Sequence, residues 1–213
     1  MKIETFICGS FFTNCYIVFD EETNKSIVID APQEGMDFAI DFIKRHNLSV
    51  EYIILTHGHI DHIAHAEKLR TATGAKLLIH ENEQHWLEPN NYTLTLVSRD
   101  YIKFVPDVWL KGNEKYSIGK NEFEIIHTPG HTEGGISIYF ADSSVLFSGD
   151  TLFQESIGRT DLIGGSIETL LETIYKKLLV LPESTIVYPG HGERTMIKHE
   201  KHCNPFLQNG ENK

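Results

Sequence analysis

The sequence predicts an α/β fold in which short strands alternate with amphipathic helices. Three observations point to it. Apolar runs of four or five residues are bounded by turn-forming clusters, apolar residues between them recur at helical spacing, and several histidines and aspartates fall where strands should end. At 213 residues the chain is long enough for one well-buried domain and too short for two large ones, so a single domain over 1–213 is expected.

Residues 16–19 and 26–29 are apolar and flank Asp20-Glu21-Glu22-Thr23-Asn24, the pattern of a β-hairpin. Met36, Ile40 and Ile43 recur at spacings of four and three, with Phe38 and Phe42 widening the face, which predicts an amphipathic helix over 36–45. A strand at 52–55 follows. From Asp61, read as an N-cap, a second helix is expected to run to Thr73 and stop at Gly74, before a strand at 76–79. After Pro89 and two asparagines, residues 92–107 fit a loop, a strand or an insertion equally well. Turn residues at 111–113 and 119–121 separate short strands, the last at 123–126. Residues 136–140 and 145–148 make a second hairpin around Ala141-Asp142-Ser143. Leu170, Leu171, Ile174 and Leu178 stripe a helix, and 185–188 reads as a strand.

Composition narrows the function. The net charge of -11 tells against a nucleic-acid partner, because phosphate binding relies on clustered Lys and Arg. No segment is long and apolar enough to cross a bilayer, and the N-terminal stretch lacks the character of a secretory signal, so no membrane partner and a cytoplasmic address are expected. Cys8, Cys15 and Cys203 form no C-x-x-C pair and leave an odd count, which argues for reduced structural thiols.

The segment Thr56-His57-Gly58-His59-Ile60-Asp61-His62 crowds three histidines and an aspartate at the end of an apolar run, with His131, Asp150 and His191 following singly. Imidazole and carboxylate together suit first-row divalent metals. Residues two apart in extended chain point the same way, so His57 and His59 can grip one ion while Asp61 and His62 reach a second. His131 can complete the first set and His191 the second, leaving Asp150 as a bridge, with Asp61 and Asp150 as the catalytic carboxylates. Two divalent ions are expected, zinc first, with iron and manganese as alternatives. A metal lowers the pKa of bound water from about 15.7 to about 7, so hydrolysis needs no activated Ser or Cys. A small-molecule thioester is the favoured substrate, because a thiolate leaves with less protonation than an alkoxide or amine.

Four blocks in order, THGHIDH, HTPGHTEGG, FSGDTLF and YPGHG, together with NPFLQ at 204–208, resemble the metallo-β-lactamase-fold hydrolases of the glyoxalase II-like group, in its short single-domain form. The resemblance implies an αββα sandwich with the metals at one edge of the paired sheets. It implies a first metal on His57, His59 and His131, a second on Asp61, His62 and His191, and Asp150 between them. Full-length glyoxalase II carries a C-terminal helical domain that helps hold glutathione; none is expected here, since the chain stops soon after His191. Where the family places a Lys and a Tyr on glutathione, this chain has Arg159 and Asp161. Arg159 is therefore read as an anion contact for the substrate, with an Arg159–Asp161 ion pair as the alternative.

Gly158-Arg159-Thr160-Asp161 also resembles a block of the mononuclear iron persulfide dioxygenases of this fold, the main rival reading; another ester or lactone is the second. The complete second set of ligands favours hydrolysis. A β-lactamase is disfavoured because Asp150 stands where many zinc lactamases use Cys, and the redox diiron branch because His59 stands where it carries Glu.

Overall fold

The computed structural model describes residues 1–87 and 103–208, so residues 92–102 of the segment left open above lie outside the described residues. Among the described residues two six-stranded sheets face each other. The first runs β1-β2-β3-β4-β5-β6: Lys2–Cys8, Thr13–Phe19, Lys25–Ile29, Ser49–Ile54, Lys76–His80 and Val108–Leu110. In the second, β7 (Lys115–Ile118), β8 (Asn121–His127), β9 (Ile136–Phe140), β10 (Val145–Gly149), β13 (Ile186–Pro189) and β14 (Thr195–Met196) are adjacent in that order. A small hairpin of β11 (Leu152–Phe153) and β12 (Ser156–Ile157) follows β10.

Period-two alternation along the strands makes this a four-layer sandwich. On β2, Ile17 joins the core shared with helices α1 (Met36–Arg45) and α3 (Ala66–Thr73), whereas Tyr16 and Val18 face the second sheet. On β10, Val145 and Phe147 enter that same inter-sheet core, while Leu146 packs toward α4 (Ile167–Thr173) and α5 (Ile197–Cys203). The αββα order expected from the resemblance follows. Parallel pairs β3–β4, β4–β5 and β10–β13 need crossovers, and helices supply them.

The first hairpin and the 36–45 helix lie where the sequence predicted them. Gly74 closes α3 in the left-handed region at φ 72°, as expected of a helix stop. The helix expected over 61–73 is instead two pieces, α2 (Ile60–Ile63) and α3, and Asp61 is not its cap. His59 holds the N-cap position. The break has a cause: the Ala31 amide donates to the His62 carbonyl, and the His65 amide donates to the Ala31 carbonyl, diverting backbone groups from the helix. Strand β1, the β11–β12 hairpin and the β14–α5 segment were not read from the sequence. Their elements are short or flanked by exposed residues, so periodicity is weak there.

Candidate metal centre

All seven metal-site residues named from the sequence come together at one edge of the two sheets. His57, His59, Asp61 and His62 follow β4, His131 follows β8, Asp150 follows β10, and His191 follows β13. Strand ends deliver them because loops there can turn side chains inward while the sheets fix their bases. Donor atoms fall into three overlapping groups, each within 4.8 Å: His57 with His59 and His131; Asp61 with His62 and His191; His57 with His62 and Asp150.

The hydrogen bonds fix which ring nitrogen faces the centre. The Thr56 hydroxyl donates to Asp30 Oδ2 at 2.8 Å, so it must accept from His57 Nδ1 at 3.0 Å. His62 Nδ1 donates to Asp30 Oδ2 (2.7 Å), His131 Nδ1 to the Arg159 carbonyl (2.7 Å), and His191 Nδ1 to the Phe11 carbonyl (3.0 Å). In each case an oxygen takes the Nδ1 proton, so Nε2 is the ring nitrogen turned inward. His59 presents Nδ1 instead, 3.1 Å from His57 Nε2 and 2.9 Å from His131 Nε2.

Such crowding of ring nitrogens and carboxylate oxygens fits a cation. Adjacent ligands of a tetrahedral ion with bonds of about 2.0–2.1 Å lie roughly 3.3 Å apart, close to the spacing here. His62 Nε2 and His191 Nε2 are 3.2 Å apart, and Asp61 Oδ2 lies 3.3 Å from His191 Nε2. Asp150 Oδ2 is 3.6 Å from His131 Nε2 and 3.4 Å from His191 Nε2, so one carboxylate touches both sets. Its other oxygen, Oδ1, is buried without a hydrogen-bond partner. The residues present thus fit one or two divalent ions.

Asp30 escaped the sequence reading. It is 1 % exposed and accepts from the Thr56 amide, the Thr56 hydroxyl and His62 Nδ1. The signal was available: Asp30 directly follows the apolar run of β3, the same strand-end placement as Asp150 after β10. Thr13, which donates to Asp61 Oδ2 at 3.0 Å, and Asn14, which holds the Pro189 and Gly192 carbonyls beside His191, also support the centre. His127 lies apart from the centre: it stacks on His80 at 4.1 Å, with Nε2 on the Glu133 carbonyl.

A family model described as the Metallo-beta-lactamase superfamily matches residues 8–191, a stretch that holds all seven residues. The chain belongs to that superfamily. It is 35% identical over 214 residues to the Hydroxyacylglutathione hydrolase GloC of Haemophilus influenzae, covering 97% of this chain and 98% of that protein. Among solved structures, the BLEG-1 B3 metallo-beta-lactamase matches with a TM-score of 0.89 at 38% identity, covering 97% of this chain and 100% of that one. TTHA1623 in a di-iron-bound form matches with a TM-score of 0.83 at 30% identity, covering 96% and 100%. These names differ at similar identity, as expected of a superfamily in which one fold hosts several chemistries.

In this member of the superfamily the two sets of donors differ electrostatically. Burial, reinforced by the neighbouring imidazoles, pushes His57 well below its ordinary range and His59 down to about 3. For His62 and His191 burial acts in the same direction, but the carboxylates of Asp61 and Asp150, joined at His62 by Asp30, outweigh it and raise both. The first set is therefore already deprotonated at neutral pH, whereas the second must release protons to take a cation. Each proton released changes affinity about tenfold per pH unit. Zinc titrated against a chelator at pH 6 and pH 8 is expected to bind the second set far more tightly at the higher pH, with the first set nearly unchanged. Equal pH slopes at the two sets would contradict this assignment.

Proposed function

We propose that the chain is a dinuclear metal-dependent hydrolase of thioesters, with S-lactoylglutathione or a related hydroxyacyl thioester as substrate. The observation that carries this reading is Asp150, whose Oδ2 lies within 3.6 Å of a ring nitrogen from each set. In this reading His57, His59 and His131 hold one ion, Asp61, His62 and His191 the other, and Asp150 spans them, with zinc, iron or manganese as the metal. Bound there, two divalent ions supply a water nucleophile at neutral pH and polarise the scissile carbonyl. The chain's own residues position and shield. His57, His59, His62 and His131 are buried, whereas Asp61, Asp150 and His191 are half-buried and form the open side. Beside Asp61 a pocket lined by Phe11, Thr13, Pro32, Glu34 and Ile60 gives room for part of a small substrate.

The likeness to GloC supports a hydroxyacyl thioester, and the likeness to di-iron TTHA1623 supports two metals. Turnover of a panel holding S-lactoylglutathione, a simple ester, a lactone and a β-lactam tests the substrate. Thioester hydrolysis with the highest kcat/KM is the expected result. Oxygen uptake with glutathione persulfide and no thioester turnover would overturn the reading in favour of an iron oxygenase. Turnover of the β-lactam alone would move the chain toward the activity named for BLEG-1.

Arg159 is the proposed substrate contact. Its guanidinium is exposed and forked onto Asp161, with Nε to Oδ1 and Nη2 to Oδ2 both 2.8 Å, which uses two of its five N–H donors. Its backbone carbonyl anchors His131, so the side chain starts next to the centre. Arg159→Ala keeps that carbonyl and is expected to raise KM several-fold with little change in kcat. An unchanged KM would leave Arg159 with the ion pair alone.

A further inference from the structure

A carboxylate outside the ligand sets joins the two loops that carry the first set. Glu83 lies on a 3-10 turn, Glu81–Leu87, directly after β5, and is fully buried. Its Oε2 accepts from the Gly58 amide and its Oε1 from the Gly134 amide, each at 2.7 Å. Gly58 sits between His57 and His59, and Gly134 lies three residues beyond His131. The same turn supplies Trp86, whose ring packs edge-on against His59 at 4.6 Å.

Both glycines are shaped to this contact. A Cβ on Gly58 would fall 2.4 Å from the Trp86 Cβ and 2.7 Å from Glu83 Oε2. One on Gly134 would fall 2.7 Å from Glu83 Oε1 and 2.8 Å from its Cγ. The backbones therefore approach the carboxylate more closely than any side-chain-bearing residue permits. Burying a carboxylate is costly unless its oxygens are hydrogen-bonded. Here the bonds go to the backbone of two separate ligand loops, a use that packing alone does not call for.

We propose that Glu83 is a positioning residue: its carboxylate clamps the Gly58 and Gly134 amides, holding the His57/His59 turn and the His131 loop in register so that the three-histidine set is formed before a metal arrives. The inference rests on the metal reading above but not on its substrate. Groups that orient metal ligands typically change affinity about 10–100-fold when altered. Gln in place of Glu keeps the shape but offers only one acceptor oxygen, and it sets an NH2 group against the other amide.

The test is zinc affinity by chelator competition, with Glu83→Gln placed in two backgrounds. In His191→Ala, which disables the second set, Glu83→Gln is expected to weaken zinc binding about 10–100-fold. In His59→Ala, which disables the first set, it should change affinity by less than about threefold. Folded protein in which both backgrounds respond alike, or neither responds, overturns the proposal. A purely structural role would lower the melting temperature without this asymmetry. If Glu83→Gln does not fold, hydrogen exchange on the unaltered chain stripped of metal decides. Protection of the Gly58 and Gly134 amides is expected, and exchange at the rate of an unstructured peptide overturns the proposal. A chain that binds no metal at any pH would instead defeat the metal reading itself, and the exchange result would still stand apart from it.

Discussion

Asp150→Ala is expected to abolish nearly all activity, by more than the roughly 100-fold that follows the loss of a group merely orienting a ligand. Asp150 lies within 3.6 Å of a ring nitrogen from each set, and its removal takes an anion from among His62, His131 and His191. Two effects then add. In the proposed dinuclear site two cations would lose a ligand shared by both sets, and their mutual repulsion would no longer be offset by its carboxylate. Zinc content measured with turnover separates these. Both are expected to fall, because each set keeps three donors but loses the carboxylate beside it. Asp150→Asn keeps the size and one oxygen and should lie between. Turnover within about tenfold of the unaltered protein would remove Asp150 from the reaction.

The second large effect belongs to a residue that touches no proposed metal. Asp30→Ala strands the Thr56 amide, the Thr56 hydroxyl and His62 Nδ1, all buried donors. Breaking a buried charged pair by deleting one partner costs about 3–5 kcal/mol. In a chain of this length about 1 kcal/mol moves Tm by roughly 2–4 °C, so a drop on the order of 10 °C is expected. Asp30 has φ 62°, in the left-handed region where Ala adds strain of its own, so Asp30→Asn, which tolerates that backbone, is the fairer comparison. Thermal unfolding of the metal-free protein checks the stability, and zinc titration checks the expected 10–100-fold loss at the second set. A melting temperature within about 2 °C for Asp30→Asn would show that Asp30 bears little of the load.

What the sequence made legible follows from how each residue signals itself. His57, His59, Asp61 and His62 are crowded in one segment, and His131, Asp150 and His191 each lie just past an apolar run, so ligand chemistry and strand ends coincided. The alternation of strands and helices was legible in apolar runs such as 16–19 and 145–148, but the sandwich order came only with the resemblance of the four motif blocks. Which face of each strand meets which layer is shown by the packing, with Ile17 and Leu146 toward the helices and Val18 and Phe147 between the sheets. The helix at 61–73 misled because propensity cannot see Ala31, which precedes it far back in the sequence and whose amide and carbonyl split it at His62 and His65. Glu83 was invisible for the same reason. A lone glutamate in ENEQHWL carries no pattern, and only the fold brings Gly58 and Gly134 to its two oxygens. Asp30 lay between these cases, in the right place at a strand end but without a histidine beside it to draw notice.

The most direct test of the dinuclear hydrolase is to strip the protein of metal and return it in measured equivalents while following hydrolysis of S-lactoylglutathione. Turnover should stay low through the first equivalent, which fills the deprotonated three-histidine set, and rise steeply to a plateau at two metals per chain. Full activity at one equivalent, or a single bound iron with no thioester turnover at any loading, would contradict it.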